Sequence, residues 1–354
     1  MKKIAFVNQR YGLEVNGGSE TYTRQIAEKL SCKFEIEILT TKALSYDKWE
    51  NYYSNNEEVV EGIKVRRFEV KQQRNSFGQN IAGRLLRKKH SHSVLLGKMW
   101  LRCQGPYAPD LIHFIRTHSD EYDLFVFVTY LYYTTVGGMP EVYDKSIFIP
   151  TAHDECFIYF PCYRNLFINP KGIVYLTDEE KKLVEKIFHN EAIPNIVAGT
   201  GVDLPEDINN NRFRDKYGIG GDYIIYTGRV DQNKNCQEMF DFFIKLKKEK
   251  VWEKKKFTLI VIGKEHMDIP IDENIRYLGF VSEQDKYDAI SGAMALWLPS
   301  KNESLSISVL ESMALGVPVV VNGNCEVLKG HCLKSHAGYY YTNYVEFKNN
   351  LSIL

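Results

Sequence analysis

Short apolar segments rich in β-branched and aromatic residues alternate with segments of helical periodicity, and this pattern runs through the chain twice. Such alternation is typical of parallel sheets covered by helices on both faces. In the first series, strands are predicted at 3–7, 34–39, 123–128, 146–149 and 173–176, and helices at 19–30 and 177–188. In the second, strands are predicted at 223–227, 257–262, 275–278, 295–298 and 317–321, and helices at 236–249, 282–291 and 308–315. The predicted fold class is α/β, with two doubly wound, Rossmann-like domains facing a cleft.

The boundary between the two series is expected in a segment rich in glycine, proline and asparagine. A chain of 354 residues exceeds what one hydrophobic core usually supports, so two domains are expected. Turn-forming residues concentrate between 200 and 221. We therefore predict a first domain at 1–199, a linker at 200–221 and a second domain at 222–354.

Bulk composition narrows the class of protein. The formal net charge is zero, which argues against a dedicated nucleic-acid binder. The seven cysteines include no CxxC pair, which favours free thiols in a reducing cytoplasm. The apolar run 4–7 is too short for a signal peptide, and the mostly apolar run 124–136 is too short for a membrane span. These features predict a cytoplasmic protein.

Two basic residues follow the first strand of the second series. Arg229 and Lys234 come just after the predicted strand 223–227. A pair of cations at the carboxyl end of a strand suits a diphosphate, because such ends are where open α/β sheets bind ligands. The alternative is that both are solvated surface charges.

Two acidic residues eight positions apart follow the predicted strand 295–298. Glu303 and Glu311 would lie about 12 Å apart if the whole span were helical, at about 1.5 Å per residue. A helix that begins between them would offer free backbone amides to phosphates at Leu305 and Ser306. This predicts one extended ligand, with a hexose at Glu303 and ribose hydroxyls at Glu311. The alternative is a loop acid followed by a solvated helix residue.

The apolar spacing after Ser306 predicts which face of that helix is buried. We expect Ile307, Leu310 and Ala314 to point inward. Glu311 lies next to Leu310 and close to Val309, so it needs a partner if this face is buried.

These motifs together resemble the retaining glycosyltransferases of the GT-B fold, specifically family four, the glycosyl transferases group 1. The resemblance covers nearly the whole C-terminal half and rests on Gly228-Arg229 with Lys234, Gly263, Gly279-Phe280-Val281, and Glu303 to Glu311 with the segment 314–320. It implies that Glu303 contacts the donor sugar, that Glu311 contacts the ribose, and that Arg229 and Lys234 hold the diphosphate. Val281, Leu305 and Ser306 are the further donor-binding positions. Family members often have Gly and Phe after the first glutamate, where this chain has Ser304 and Leu305.

The first domain contributes two features to the predicted site. Gly17 and Gly18 precede the predicted helix 19–30, and paired glycines there let the backbone approach an anion. The alternative is a flexible turn; the resemblance implies a contact with donor phosphates or acceptor. His153 follows the predicted strand 146–149 and resembles the family's sugar-contacting histidine. Since retaining members are thought to need no enzyme base, we assign His153 a positioning role, with Asp154 or Glu155 as alternative general bases.

No metal or other cofactor is required by the predicted reaction, in which a nucleoside-diphosphate sugar is the substrate. The sequence shows no D-x-D pair. The group Cys325, His331, Cys332 and His336 could suggest zinc, but its spacing matches no common zinc finger.

A cationic amphipathic stretch interrupts the first domain. Residues 71–109 contain eight basic and no acidic residues, interleaved with apolar ones. Such a surface can lie on anionic lipid, which predicts peripheral association with the inner face of a membrane and a lipid-linked acceptor. The alternative is an ordinary solvated helical insertion. The residues that we assign to this membrane or acceptor surface are Arg84, Arg87, Lys88 and Lys89.

The function that these features predict is retaining transfer of a hexose to a glycan or lipid-linked acceptor, in cell-surface polysaccharide biosynthesis. One alternative is a nucleotide-sugar epimerase of the same fold. Another is a truncated nucleotide-sugar-binding domain, because the resemblance implies terminal helices, one of which crosses back to the first domain, and we expect this chain to lack them.

Overall fold

A computed structural model describes residues 1–15, 17–88, 93–249, 252 and 257–354, with only the backbone described at Lys88. The chain divides into two compact units, Met1–Thr200 and Gly201–Leu354. Each unit contains one sheet with helices packed on it. None of the described helices is long and apolar enough to cross a bilayer.

The first unit contains an eight-stranded sheet in the order β3-β4-β2-β1-β5-β6-β7-β8. Only the β3–β4 pair is antiparallel. The strands are β1 Lys3–Val7, β2 Glu35–Thr41, β3 Glu57–Val60, β4 Ile63–Phe68, β5 Leu124–Val128, β6 Ser146–Ile149, β7 Gly172–Tyr175 and β8 Asn195–Val197. All five strands predicted for this half are confirmed to within two residues, whereas β3, β4 and β8 were not predicted.

The helices of the first unit include both that the sequence predicted. They are Gly18–Leu30, Ser76–Lys88, Val94–Gln104, Pro109–His118, Tyr133–Gly138, Arg164–Ile168 and Asp178–Phe188. The predicted start of the last one is confirmed, because the Thr177 hydroxyl accepts a hydrogen bond from the Glu180 amide at 3.1 Å.

The second unit contains a fully parallel six-stranded sheet in the order β11-β10-β9-β12-β13-β14. Its strands are β9 Asp222–Thr227, β10 Phe257–Ile262, β11 Ile275–Gly279, β12 Ala295–Leu298, β13 Val319–Asn322 and β14 Gly338–Tyr341. Its helices are Asn210–Tyr217, Cys236–Lys247, Glu283–Ser291, Ile307–Ala314, Glu326–Ser335 and Tyr344–Ile353. Strands β12 and β13 are buried at every residue, which explains why they read as continuous apolar runs.

The segment predicted as a linker at 200–221 differs in the structure, because Asn210–Tyr217 is a helix of the second unit. The Arg212 guanidinium bonds the Asp288 carboxylate at 2.6 Å, which fixes this helix against Glu283–Ser291. Asn209 caps the start of the helix, and Gly218 ends it at φ 63°. Two of the residues that indicated a linker, Asn209 and Gly218, are therefore helix caps, which use the same amino acids as turns.

A close backbone contact shapes the loops after β9 and β10. The Gly228 amide donates to the Ile262 carbonyl at 2.9 Å, and Gly263 has φ 137°. A Cβ atom built on Gly263 would lie 1.9 Å from the Gly228 carbonyl oxygen. Only glycine fits there without moving the backbone that leads to Arg229.

Gly263→Ala should therefore destabilise the protein by more than about 2 kcal/mol, because strained backbone and a steric clash act together. Urea unfolding measures this change. Gly220→Ala is the matched control, since a Cβ atom there meets nothing within 4 Å. A Gly263→Ala variant as stable as the control would contradict the packing described.

Candidate functional site

The loop after β9 is held by its own hydrogen bonds. The Tyr226 hydroxyl donates to the Arg229 carbonyl at 2.5 Å, and the Lys234 amide donates to Asp231 Oδ1 at 2.7 Å. The Arg229 guanidinium lies 3.5 Å from Asp231 Oδ2. Asp231 therefore contacts the guanidinium group of Arg229 and the backbone amide of Lys234.

Two of the predicted site residues bond each other directly. Lys234 Nζ donates to Glu303 Oε1 at 2.6 Å, and the two side chains are 24% and 11% exposed. Glu303 is therefore not an isolated loop acid. Because solvent reaches both groups, a ligand can compete for the ammonium group of Lys234.

The position of Glu303 follows from the way three strand ends are tied together. The side-chain amides of Asn235 and Asn322 both donate to the carbonyl of Pro299, at 3.1 and 3.0 Å. Pro299 directly follows β12, while Asn235 lies in the loop after β9 and Asn322 ends β13. The loop carrying Glu303 is thus held beside the loop carrying Lys234.

A helix begins between the two glutamates, as predicted. The helix Ile307–Ala314 starts after Ser306, which has φ 67° and forms no side-chain cap. The carbonyl of the preceding Leu305 accepts a hydrogen bond from His331 Nε2 at 2.6 Å. The first-turn amides of this helix therefore have no capping side chain from Ser306 and can bind an anion.

The buried face of this helix differs from the prediction. Val309, Glu311 and Ser312 are buried, whereas Ile307 and Leu310 are only partly covered and Ala314 is exposed. The prediction was wrong about Ala314, because the Ser312 hydroxyl turns inward and donates to the Val317 carbonyl at 3.0 Å. Because Ser312 is polar, the apolar spacing did not indicate that its side of the helix is buried.

Glu311 is buried and has two partners on the neighbouring helix Glu283–Ser291. It is only 5% exposed, and its Oε1 accepts from Lys286 Nζ at 2.7 Å and from the Tyr287 hydroxyl at 3.1 Å. Burial would lower the pKa of Lys286, but the Glu311 and Glu283 carboxylates outweigh burial and raise it. The alternative of a solvated Glu311 is therefore wrong. Lys286 was not predicted from the sequence, because its distance along the chain from Glu311 matches no recognised motif.

Val281 is a buried member of the core of the second unit. It follows Gly279, which has φ 70°, and precedes Ser282, whose hydroxyl accepts from the Asp285 amide at 3.1 Å. The Gly279-Phe280-Val281 motif is thus a sharp turn from β11 into the helix Glu283–Ser291. This turn places Lys286 and Tyr287 beside Glu311.

In the first unit, Gly17 and Gly18 occupy different surroundings. A Cβ atom on Gly17 would lie 2.3 Å from Glu20 Oε2, whereas one on Gly18 would meet nothing within 4 Å. The buried Glu20 accepts from Arg10 Nε at 2.9 Å and from Gln9 Nε2 at 2.8 Å. Burial acts to raise the pKa of Glu20, but Arg10 and the hydrogen bonds from Ser19, Arg10 and Gln9 lower it overall. Gly17 is therefore required by packing, and the Arg10–Glu20 pair was not predicted.

His153 lies after the carboxyl end of β6. Its Nε2 is 3.5 Å from Glu155 Oε1, which also accepts from the Tyr130 hydroxyl at 2.5 Å. Asp154 accepts from the Tyr159 hydroxyl at 2.8 Å. Of the two alternative bases, Glu155 is the one that the structure brings to His153.

Among the residues that the structure describes, no group of three or more His, Cys, Asp or Glu side chains could hold a metal ion. Of the four residues considered for zinc, His331 instead binds the Leu305 carbonyl. Burial raises the pKa of Cys332 to about 11 and also raises the pKa of Cys325, which disfavours the thiolate forms that ligate metals.

Known proteins are similar to this chain in two respects: solved structures share its fold, and a sequence family matches part of its second unit. Sucrose-phosphate synthase from Thermosynechococcus elongatus superposes with a TM-score of 0.69 at 12% identity, over 100% of this chain and 89% of that structure. Anabaena HepE in complex with UDP and glucose gives 0.68 at 15%, over 100% and 90%. WaaG, a glycosyltransferase involved in lipopolysaccharide biosynthesis, gives 0.66 at 13%, over 98% and 89%. The two units thus define the GT-B glycosyltransferase fold.

A sequence family matches the second unit. Residues 207–339 match the family described as glycosyl transferases group 1, which confirms the resemblance seen in the sequence. Mannosylfructose-phosphate synthase from Agrobacterium fabrum is 24% identical over 145 residues. That alignment spans 33% of this chain and 31% of the relative.

Lys286→Met should destabilise the protein by about 3 kcal/mol, because it leaves the buried Glu311 carboxylate without a counter-ion. The double variant Lys286→Met/Glu311→Gln should recover most of that loss, since the uncompensated charge is then gone. Urea unfolding of both variants and of Glu311→Gln completes the cycle. Equal stability of Lys286→Met and the unaltered protein would show that Glu311 does not depend on this partner.

Proposed function

We propose that this protein is a retaining glycosyltransferase that moves a hexose from a nucleoside-diphosphate sugar to a glycan or lipid-linked acceptor, in cell-surface polysaccharide biosynthesis. The observation that carries the proposal is the pairing of Lys234 with Glu303 beside a helix start that the Ser306 side chain does not cap. The match of residues 207–339 to the glycosyl transferases group 1 supports the same chemistry.

In this proposal, the diphosphate of the donor lies between the cations and the helix Ile307–Ala314. Arg229 and Lys234 contact phosphate oxygens from one side, and the backbone at Leu305 and Ser306 contacts them from the other. Each phosphate–cation contact has a raw Coulomb energy of about 4 kcal/mol at 4 Å and an effective dielectric of 20, less after desolvation. As the phosphates take the Lys234 ammonium, the Glu303 carboxylate becomes available to hydroxyl groups of the sugar.

The ribose end of the donor is assigned to Glu311. Its second oxygen can accept from ribose hydroxyls while Oε1 stays bonded to Lys286 and Tyr287. Val281 is proposed to contribute to the same end of the site through its backbone, because its side chain is buried in the core. HepE is solved in complex with UDP-glucose, and one relative is a mannosylfructose-phosphate synthase, so a hexose on a nucleoside diphosphate is the first donor to test.

The first unit is proposed to bind the acceptor. His153 orients a sugar through its imidazole, with Glu155 as its neighbour. Gly18, whose surroundings are open, is the better candidate of the two glycines for backbone contact with donor phosphates or acceptor. No enzyme base is invoked, because the leaving phosphate takes the acceptor proton on the same face of the donor.

A surface on the first unit fits the proposed peripheral contact with a membrane. The helices Ser76–Lys88 and Val94–Gln104 pack together and expose large apolar side chains to solvent. Phe77 is 78% and Leu95 is 71% exposed, and the other members are Ile81, Leu85, Val94 and Met99. Arg84 and Arg87 are exposed on the first of these helices. The side chain of Lys88 and all of Lys89 lie outside the described residues.

Glu303→Gln should reduce release of nucleoside diphosphate from the donor at least a hundredfold while leaving UDP, GDP or ADP affinity within about twofold, because Glu303 is assigned to the sugar and not to the phosphates. Lys234→Gln should instead weaken nucleotide binding at least tenfold. Thermal-shift titration identifies the nucleotide, and an acceptor extract with the matching sugar nucleotide gives the turnover.

Glu273→Gln, at an exposed position before β11, is the matched control and should behave like the unaltered protein. Full turnover in Glu303→Gln would contradict the assignment of this residue. Epimerisation of the donor without any acceptor would favour the epimerase alternative.

Arg84→Gln/Arg87→Gln should lower binding to anionic vesicles about thirtyfold, since each basic residue near such a surface is worth about 1 kcal/mol. Sedimentation with phosphatidylserine-containing vesicles and with neutral vesicles measures the difference. Arg164→Gln/Lys171→Gln removes two exposed charges elsewhere on the first unit and should bind normally. Equal binding of the unaltered protein to anionic and neutral vesicles would contradict the proposed contact with an anionic membrane.

A further inference from the structure

A buried carboxyl group lies where two strand ends of the first unit meet. Glu180 is 1% exposed and belongs to the first turn of the helix Asp178–Phe188. Its Oε1 accepts from the Ala152 amide at 2.5 Å, and its Oε2 accepts from the Leu176 amide at 2.6 Å. Ala152 lies two residues beyond Pro150 after β6, and Leu176 directly follows β7. One side chain therefore joins the loops that leave both strands.

Among the described residues that shift the pKa of Glu180, none is a cation. Burial raises the pKa of Glu180 to about 8, and only backbone hydrogen bonds, from Leu176, Ala152 and Thr177, act to lower it. The titratable groups near it are phenols. Burial and, second, the Glu180 charge raise the pKa of Tyr22 to about 12, and Glu180 also contributes to the raised pKa of Tyr175.

Helix capping alone does not account for this arrangement. A capping box needs only a bond from this side chain back to the Thr177 backbone. Here the side chain also reaches the loop after β6, and burying an acid without a cation costs stability. The bond to Ala152 is the part of the arrangement that capping does not require.

The loop that receives this bond carries His153. Thr151, immediately before Ala152, has φ 51°, a conformation that is unfavourable for a β-branched residue. Its hydroxyl donates to Thr129 Oγ at 3.2 Å, so the loop is held at Thr151 and at Ala152 just before the imidazole. Tyr22 belongs to the helix Gly18–Leu30, so the same carboxyl group also acts on the helix that begins at Gly18.

We propose that Glu180 is a positioning residue that sets the orientation of His153 by holding the backbone amide of Ala152. This inference rests on the proposed function for its consequence in catalysis, because His153 is assigned to the substrate there. The structural part, a coupling between Glu180 and His153, stands on the geometry of the first unit.

The coupling has a pH signature with a definite sign. The ordinary pKa of the carboxyl group is 4.5, and its folded value is about 8, so the folded protein holds a proton that the unfolded chain has lost between these values. The contribution of Glu180 to stability is therefore present at low pH and is lost as pH rises through about 8. Ionisation changes the hydrogen bonds to Ala152 and so changes the surroundings of the imidazole.

The test follows His153 by proton–carbon NMR of the full chain labelled in its histidine rings, with His153→Gln used to assign the signal. In the unaltered protein, the signal should show a step with a midpoint near pH 8. In Glu180→Gln, which cannot ionise and turns an NH₂ group toward a backbone amide, this step should vanish and turnover should fall about tenfold to a hundredfold.

Glu179→Gln is the matched control on the same helical turn and should keep the step. An unaltered protein whose His153 signal shows no step between pH 7 and 9 overturns the proposal, and this measurement remains decisive if Glu180→Gln does not fold. A folded Glu180→Gln variant that keeps the step overturns it too. UDP binding, measured separately by thermal shift, tests the proposed donor site, so a failure there is distinguishable from a failure at Glu180.

Discussion

Parallel strand pairing is the constraint on which the candidate site depends. In the second unit, β12 pairs with β9 through Leu296 and Ile225, and with β13 along its length, so the three carboxyl ends meet at one edge. The two asparagine amides that converge on the Pro299 carbonyl hold this edge together. A salt bridge between residues 69 positions apart in the chain, Lys234 and Glu303, follows directly from that arrangement.

The two glutamates of the site are neutralised in different ways, and the difference matches the roles proposed for them. Glu303 pairs with Lys234 where solvent reaches both groups, so the pair can open at small cost when a ligand competes for it. Glu311 pairs with Lys286 in a largely buried position, so that pair behaves as part of the scaffold. Both glutamates thus have a counter-ion, and of the two pairs only Lys234 with Glu303 is open enough to exchange partners with a ligand.

The sequence predicted those parts of the fold and site whose signals are local. Strands that are buried on both faces appear in the sequence as apolar runs. Strand β4 has the sequence IKVRRF and was missed because a fully buried arginine, Arg67, lies within it. Spacing identified Lys234, Glu303 and Glu311. Lys286 was missed, and His331 was considered only for zinc, because their contacts join segments that are distant in sequence and no local pattern records such contacts.

Glu180 shows how a correct local interpretation can hide a longer-range role. The Thr177–Glu180 spacing predicted a capping box, and the cap is present. The same carboxyl group also holds Ala152, 28 positions away, and it does so without a cation, unlike Glu311. Burial raises the pKa of both acids, but the Lys286 cation acts to lower that of Glu311, whereas only backbone hydrogen bonds act to lower that of Glu180. The two buried acids therefore differ in what holds them: Glu311 has a counter-ion on the neighbouring helix, whereas Glu180 is bonded to backbone amides, one of which belongs to the loop of His153.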